Sequence, residues 1–328
     1  MTDKIYHPFP TFDFHFRKCF LSGMESNDTT PLFPGWLMDM AEFSGDEQMK
    51  LLDEHAHTYK SMLLPVNTSV MHDLDLFEQR ISSAFSLGYA GVSKLSELDI
   101  FNWLGKLLYG LIYLEMHNGI KQNVLSSDGM NMGQGLMHKF GNLHAMLQGL
   151  IRPMTFENFV PWSIQVFEID DKYLPFSFKD EINTMTMSLK FKDFGIIACL
   201  QDNGVNEKYH NGILAATTGK PLSLPQFEEI CARFYYSAYL FNRLPEYDFM
   251  VIEGECFVEP MPLKGMLSKP IFDEWQHKTY GQVLENFWKP WGHLLFEILK
   301  DPQHPYSYFN PPHLPGDLTD EVGNDSLN

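Results

Sequence analysis

The chain has 328 residues, 44% hydrophobic and 20% charged, which is typical of a folded protein of one or two domains. Its 24 Lys and Arg are outnumbered by 42 Asp and Glu, giving a formal net charge of -18. Because proteins that track nucleic acid usually carry a basic face, this acidity predicts weak or no nucleic-acid binding. It favours a protein partner that is itself basic.

The cysteines and apolar runs exclude several other classes. The four cysteines lie far apart and form no C-x-x-C pair, so neither a disulfide framework nor a complete cysteine metal set is expected. The N-terminus lacks the basic and apolar segments of a secretory signal. The longest apolar run, around residues 104–114, is too short for a membrane span. We therefore expect a cytoplasmic protein without membrane contact.

The N-terminal hundred residues predict one strand and two helices. Phe12, Phe14 and Phe16 alternate with polar residues, as in a strand. Apolar residues at helical spacing predict a helix over 71–86. A second helix is predicted from a capping box at Ser96 to about residue 117. Since this helix is apolar nearly all round, we expect it at the centre of the core.

The remainder of the chain alternates between helical and strand patterns. Residues 118–135 predict a loop, 135–150 a third helix, and 184–192 a strand that pairs with 196–200 in a hairpin. A helix is predicted from Pro225, followed by a strand over 249–258 and a helix over 280–300 kinked at Pro290. The residues from 301 onwards predict an extended tail.

Three short N-terminal segments stand in a fixed order. They are Cys19-Phe20-Leu21-Ser22-Gly23, then Pro31-Leu32-Phe33-Pro34-Gly35-Trp36-Leu37, then Leu64–Met71 followed by Glu78-Gln79-Arg80-Ile81. In this order they resemble the opening of the HNH-type, treble-clef nuclease-like proteins of bacteria. In that family the segments run C-x-x-C/T-G, H-x-F/I-P-x-W-L, and P-C-C-x-x-C-N-N with a helix ending E-x-R-I. Shorter apolar segments extend the resemblance over residues 15 to about 215.

The resemblance also implies that the family's chemistry has been lost. Aligned on Glu-x-Arg-Ile, its functional positions hold other residue types here: Val66 and Ser69 for two cysteines, Val70 and Met71 for two asparagines, and Leu32 for the catalytic histidine. Of the zinc ligands only a vestigial Cys19 remains. An HNH site needs a histidine base and a bound divalent metal, and leucine and valine supply neither. We therefore expect no catalysis, no structural zinc and no cofactor.

A relocated metal site is the alternative. In the stretch Asp53-Glu54-His55-Ala56-His57, the two histidines would face one side of an extended segment, and His72 and Asp73 follow on the next helix. His55, His57, His72 and Asp73 are the candidate site residues of a metal-dependent nuclease. The competing interpretation is a solvated polar loop. A further loose acid–base grouping, Asp202 with Glu207 and His210, is a weak indication of a site.

Together these patterns predict an α+β fold with a degenerate treble-clef-like N-terminal part, a helical core, and an antiparallel sheet with flanking helices. The predicted regions are 1–90, 91–160, 161–300 and a tail over 301–328. The leading hypothesis is a non-catalytic HNH-nuclease-like protein that acts through protein–protein contact. The resemblance alone implies a setting in bacterial or phage defence. The alternatives are the relocated-site nuclease and a nucleotide or small-molecule binder that uses the aromatic interior.

Overall fold

The computed structural model describes residues 4–44, 46–51, 55–121, 133–263 and 269–309. The described helices are α1 Gly35–Met40, α2 Thr68–Ser86, α3 Tyr89–Val92, α4 Glu97–Lys121, α5 Gln134–Leu147, α6 Val205–Tyr209, α7 Asn211–Thr217, α8 Leu224–Leu240, α9 His277–Trp288 and α10 Leu295–Ile298. The strands are β1 Asp28–Pro31, β2 Gln48–Lys50, β3 Ala56–Thr58, β4 Leu63–Val66, β5 Met154–Phe156, β6 Ser163–Glu168, β7 Leu174–Glu181, β8 Thr186–Lys192, β9 Phe194–Cys199, β10 Tyr247–Ile252 and β11 Glu255–Pro260. The fold is α+β, as predicted. Among these residues, no helix has both the length and the apolar character needed to cross a bilayer.

The described residues form two compact units. The first takes 4–87, 94–157 and 246–261, and the second takes 88–93, 158–245 and 262–309. The predicted regions 1–90 and 91–160 thus fold largely as one unit, which the later segment 246–261 joins.

Helix α4 is the core of the first unit, as its all-round apolar pattern predicted. Every residue from Ile100 to Met116 is buried. Ser96 caps its start, as predicted, where the Asp99 N–H donates to the Ser96 hydroxyl over 3.1 Å. Helix α5 packs closely on α4 at Gly105, where a Cβ would lie 3.1 Å from a methyl group of Leu147. Glycine therefore sets the distance between the two helices.

Three small sheets complete the first unit. Strands β1 and β4 pair antiparallel, as do β2 and β3, and β10–β11–β5 form a mixed sheet. The single strand predicted over 249–258 is wrong, because the chain reverses in its middle. Glu253 and Gly254 both have positive φ, 51° and 89°. Such a pair forms the two-residue hairpin turn that joins β10 to β11.

The second unit is an antiparallel sheet, in the order β6-β9-β8-β7, covered by helix α8. The hairpin of β8 and β9 confirms the sequence prediction, and every residue of β9 is buried. Helix α8 begins with a capping box between Ser223 and Gln226, one residue before the predicted start. Helix α9 packs on α8 through Leu284 and Trp288, both fully buried.

Two further element predictions are wrong for reasons of backbone geometry. The strand expected at 12–16 does not form: a short 3-10 turn at Phe9–Thr11 precedes Phe12, whose φ of 48° is left-handed. An extended strand cannot pass through that conformation. The expected kinked helix over 280–300 is two helices. Helix α9 ends at Trp288, and Gly292 at φ 74° separates it from α10.

The structure differs from two further predictions in where a segment ends or begins. Helix α4 continues to Lys121, into the predicted loop 118–135, of which 122–132 lie outside the described residues. The predicted tail is packed at its start, because the Tyr308 N–H donates to the buried Glu229 carboxylate over 2.8 Å and Phe309 is buried. Residues 310–328 lie outside the described part.

Candidate functional site

The segment around Cys19 forms a tight turn, which we call the knuckle, residues 18–25. The Cys19 N–H donates to the Met24 carbonyl over 2.8 Å, and the Gly23 N–H donates to the Cys19 carbonyl over 3.0 Å. Gly23 has φ 68°, so glycine is needed there for the chain to turn back. Cys19 itself is fully buried.

The knuckle lies directly against strand β4 and the start of α2. The Phe20 N–H donates to the Pro65 carbonyl over 2.9 Å, and the Asn27 N–H donates to the Val66 carbonyl over 3.2 Å. Strand β1 then continues the pairing, with Asp28 opposite Val66. The two segments that would supply zinc ligands in the family that the sequence resembles are therefore neighbours in space.

Side-chain amides join these segments. Asn67 donates through Nδ2 to the Glu25 carbonyl over 2.9 Å, and its Oδ1 accepts the Ser69 N–H at 3.0 Å. Asn27 accepts the Thr68 N–H at 3.0 Å from the other side. Asn67 is thus both the N-cap of α2 and a clamp on the knuckle. We call Asn27 and Asn67 the amide clip.

Loss of the clip should loosen both the helix start and the knuckle. We expect Asn67→Ala to lower the free energy of unfolding by about 1–2 kcal/mol, because it removes the cap and the bond to Glu25. Asn67→Asp keeps the capping oxygen but not the Nδ2 donor, so it should cost less. Urea denaturation of the three proteins measures this. Equal losses in both variants would show that capping contributes little.

Leu32, which the sequence resemblance aligns with the catalytic histidine of the nuclease-like family, is part of the core. Its side chain is fully buried, and a Cβ on Gly110 of α4 would lie 2.3 Å from one of its methyl groups and 3.0 Å from Leu64. The leucine therefore fills space that only a glycine on α4 leaves open. No solvent-facing group is presented at this position.

The Trp and Glu of the family-like motifs meet in a second cluster. Glu78 of α2 pairs with the buried Lys106 of α4. Its other carboxylate oxygen accepts the indole N–H groups of Trp36 at 2.8 Å and Trp103 at 3.3 Å. The Glu78 carboxylate thereby neutralises the Lys106 charge, and the two indole rings lie beside the pair. This cluster joins α1, α2 and α4, and none of its members stood out as a site in the sequence.

The relocated-site candidates lie on separate elements. His57 lies in β3 opposite Met49 of β2, with the exposed His55 just before the strand. His72 and Asp73 lie in the first turns of α2. Within the described part of the chain, no three His, Cys, Asp or Glu side chains are placed to hold a metal ion. The structure therefore does not bring His55, His57, His72 and Asp73 into one ligand set. Asp53 and Glu54 lie outside the described residues.

Asp202 and His210 do come together, in a buried network of the second unit. Asp202 accepts bonds from the Ser163 hydroxyl at 2.6 Å and from the Asn206 N–H at 2.9 Å. Asn206 accepts the Ser237 hydroxyl at 2.5 Å, and Ser237 lies 2.9 Å from His210 Nε2. The Glu207 N–H donates to the Ser163 hydroxyl over 3.0 Å.

The direction of these bonds argues against nucleophilic catalysis. Because the Ser237 hydroxyl proton points to Asn206, His210 must donate its Nε2 proton to Ser237 rather than accept one. A serine nucleophile needs the opposite direction. His210 and Ser237 are also almost fully buried. The network fastens α6 to β6 and α8.

Buried histidines make stability dependent on pH. Burial, the larger cause, lowers the pKa of His144 and His210 from 6.5 to about 3. The unfolded chain therefore binds these protons first as pH falls, and stability is lost below about pH 6.5. Burial raises the pKa of Asp202 to about 6. Its native state holds the proton more tightly, so acidification from pH 7 partly restores stability.

We expect His144, His210 and Asp202 together to lower the free energy of unfolding by about 3 kcal/mol between pH 7 and pH 5, since each histidine removes about 2 kcal/mol and Asp202 returns about 1 kcal/mol. Urea titrations at both pH values measure this. His144→Gln and His210→Gln should each flatten the dependence. An unchanged profile in both variants would contradict the assignment.

One recess borders the sheet of the second unit. It is shallow and open to solvent, with a cavity volume of about 10 Å³, and the ion pairs of Glu228 with Lys179 and Lys190 line it. Small-molecule sites usually enclose about 300–1,000 Å³. Both lysines face a carboxylate, so this recess offers neither the volume nor the free charge for a nucleotide.

Comparison with protein-family models, curated proteins and solved structures finds no match for this chain.

Proposed function

We propose that this chain is a non-catalytic HNH-nuclease-like protein that acts through protein–protein contact with a basic partner. A place in bacterial or phage defence is part of the proposal and rests on the sequence resemblance alone. The observation that carries the proposal is Leu32, which occupies the catalytic histidine position and lies fully buried against Gly110. A side chain enclosed in this way can neither activate water nor meet a phosphate.

The amide clip supports the same proposal. In the family, zinc holds the knuckle to the helix start, and here Asn67 and Asn27 hold the two segments through hydrogen bonds to backbone groups. Val66 and Cys19 are fully buried beside them. Packing and hydrogen bonding therefore account for this geometry without a metal, which is compatible with retention of the scaffold for a purpose other than cleavage.

The charge of the molecule supports a protein partner. A net charge of -18 repels a phosphate backbone at long range and attracts a basic surface. Association steered in this way weakens as salt rises, because the charges are screened beyond about 8 Å at physiological ionic strength.

We expect no cleavage of single- or double-stranded DNA in the presence of Mg²⁺, Mn²⁺ or Zn²⁺, and at best weak, salt-sensitive DNA binding. Gel assays at several molar excesses of protein over DNA measure cleavage and binding, and metal analysis of the purified protein accompanies them. His55→Ala and His57→Ala are the matched variants. Cleavage that both variants abolish would establish the relocated-site nuclease and end the non-catalytic proposal.

A further inference from the structure

Strand β10 lies at the edge of its sheet in the described chain, and the open side of this edge lies at Phe249 and Val251. It pairs with β11 alone in the sheet β10–β11–β5. The Met261 N–H donates to the Glu246 carbonyl over 2.8 Å, which fixes the alternation along the strand. Met250 and Ile252 therefore turn their backbone groups to β11, and Phe249 and Val251 turn theirs to the open edge.

The solvent face of this sheet is apolar at its centre and acidic around it. Met250 and Ile252 are 45% and 54% exposed. Met250 lies opposite the half-buried Phe257 on β11. The acidic residues that flank them on the same face are Asp248, opposite Glu259, and Glu255, opposite Ile252. An exposed apolar patch rimmed by charge is typical of an interaction surface.

Charge decides which occupant suits this edge. Residues 246–261 contain no Lys, Arg or His, and their carboxylates are Glu246, Asp248, Glu253, Glu255 and Glu259. A second copy paired through β10 would set these carboxylates against each other, and like charges across neighbouring strands are destabilising. A strand carrying basic side chains would meet opposite charges instead.

We propose that β10 docks an extended segment of a partner protein that carries both basic and apolar residues on one face, at every second position, and that the segment adds to the sheet as a fourth strand. The open N–H and C=O groups of Phe249 and Val251 give it backbone hydrogen bonds. Its apolar side chains cover Met250 and Ile252, while its basic side chains reach the acidic rim. This inference rests on the proposed function in that it names the partner class and the surface.

The direct test uses the full chain and a synthetic probe. The probe is a capped eight-residue peptide labelled for fluorescence anisotropy. Its odd-numbered positions hold basic residues (lysine or arginine) and valine in turn, and its even-numbered positions hold threonine, so that charge and apolar groups share one face. Two N-methylated forms of the probe are matched controls. One form carries N-methyl groups on its odd-numbered residues and the other on its even-numbered residues, and we call these the two phases. Because a strand turns only every second N–H to its neighbour, we expect one phase to lose binding by at least about ten-fold and the other to retain it. Equal binding by both forms would overturn strand addition.

Charge reversal locates the site. Asp248→Lys with Glu259→Lys should weaken binding at least about ten-fold. Asp46→Lys with Asp75→Lys changes the net charge equally at exposed positions elsewhere and should leave it within about two-fold. Equal losses in both double variants would overturn the β10 site.

Sedimentation without peptide tests the competing occupant. A dimer that Asp248→Lys with Glu259→Lys alters would assign the edge to a second copy and overturn the proposal. The two proposals also fail differently. Metal-dependent DNA cleavage would overturn the proposed function without changing peptide affinity. A protein that neither cleaves DNA nor binds the peptide overturns only the docking surface.

Discussion

Replacement of Glu78 by alanine is expected to destabilise the protein by about 3–5 kcal/mol, the cost of leaving one member of a buried ion pair without its partner. Lys106 is only 3% exposed, and Glu78 is its paired carboxylate. The indole N–H groups of Trp36 and Trp103 lose their acceptor in the same variant. Urea denaturation at pH 7 measures the effect.

The same motif supplies the control. Arg80, two residues after Glu78, pairs with Asp99 at 2.7 Å on the surface, and its side chain is 58% exposed. Arg80→Ala should therefore cost under about 1 kcal/mol. The double variant Glu78→Leu with Lys106→Met should recover much of the loss, because it removes both charges together. A Glu78→Ala loss equal to that of Arg80→Ala would show that water reaches Lys106.

The contrast between Glu78 and Arg80 shows what the sequence could and could not predict. The helical spacing of α2 and the apolar circumference of α4 are local patterns, and both helices form where they were expected. The pairing of Glu78 with Lys106 joins residues 28 positions apart. Nothing in the local pattern of either helix distinguishes this glutamate from an exposed one.

Backbone conformation was the other limit. Phe12 and Glu253 have positive φ although neither is a glycine, and each invalidated a strand prediction. Composition gives little warning of such positions, because their conformations depend on distant packing. Gly254 did offer a signal: a glycine after an acidic residue between two apolar runs is typical of a hairpin turn.

The candidate site was partly predictable. The resemblance named Leu32, Val66 and Cys19 as replaced or vestigial positions, and all three are buried. The amide clip was missed, although Asn67 directly before an apolar helix is the pattern of an N-cap. Its second role, the bond to the Glu25 carbonyl, requires the knuckle to be in place. Only the three-dimensional arrangement could reveal it.

A histidine at position 32, where the sequence resemblance aligns the catalytic residue of the nuclease-like family, is expected to damage the fold and not to confer activity. Leu32→His should lower the free energy of unfolding by about 3 kcal/mol or more, since it removes a buried leucine and places an imidazole among apolar groups. The loss should grow below pH 6.5, where the unfolded chain binds the added proton more readily than the native core.

Leu32→Met is the matched control, because it keeps the volume and the apolar character and should cost under about 1.5 kcal/mol. Urea denaturation of the three proteins at pH 7 and pH 5 measures the difference, and a DNA cleavage assay with Mn²⁺ accompanies it. Leu32 packs against Gly110, where even an added Cβ would collide with it. This contact leaves no room for water or a phosphate. A stable Leu32→His protein that cleaves DNA would show instead that position 32 faces an accessible site, and the non-catalytic proposal would fail with it.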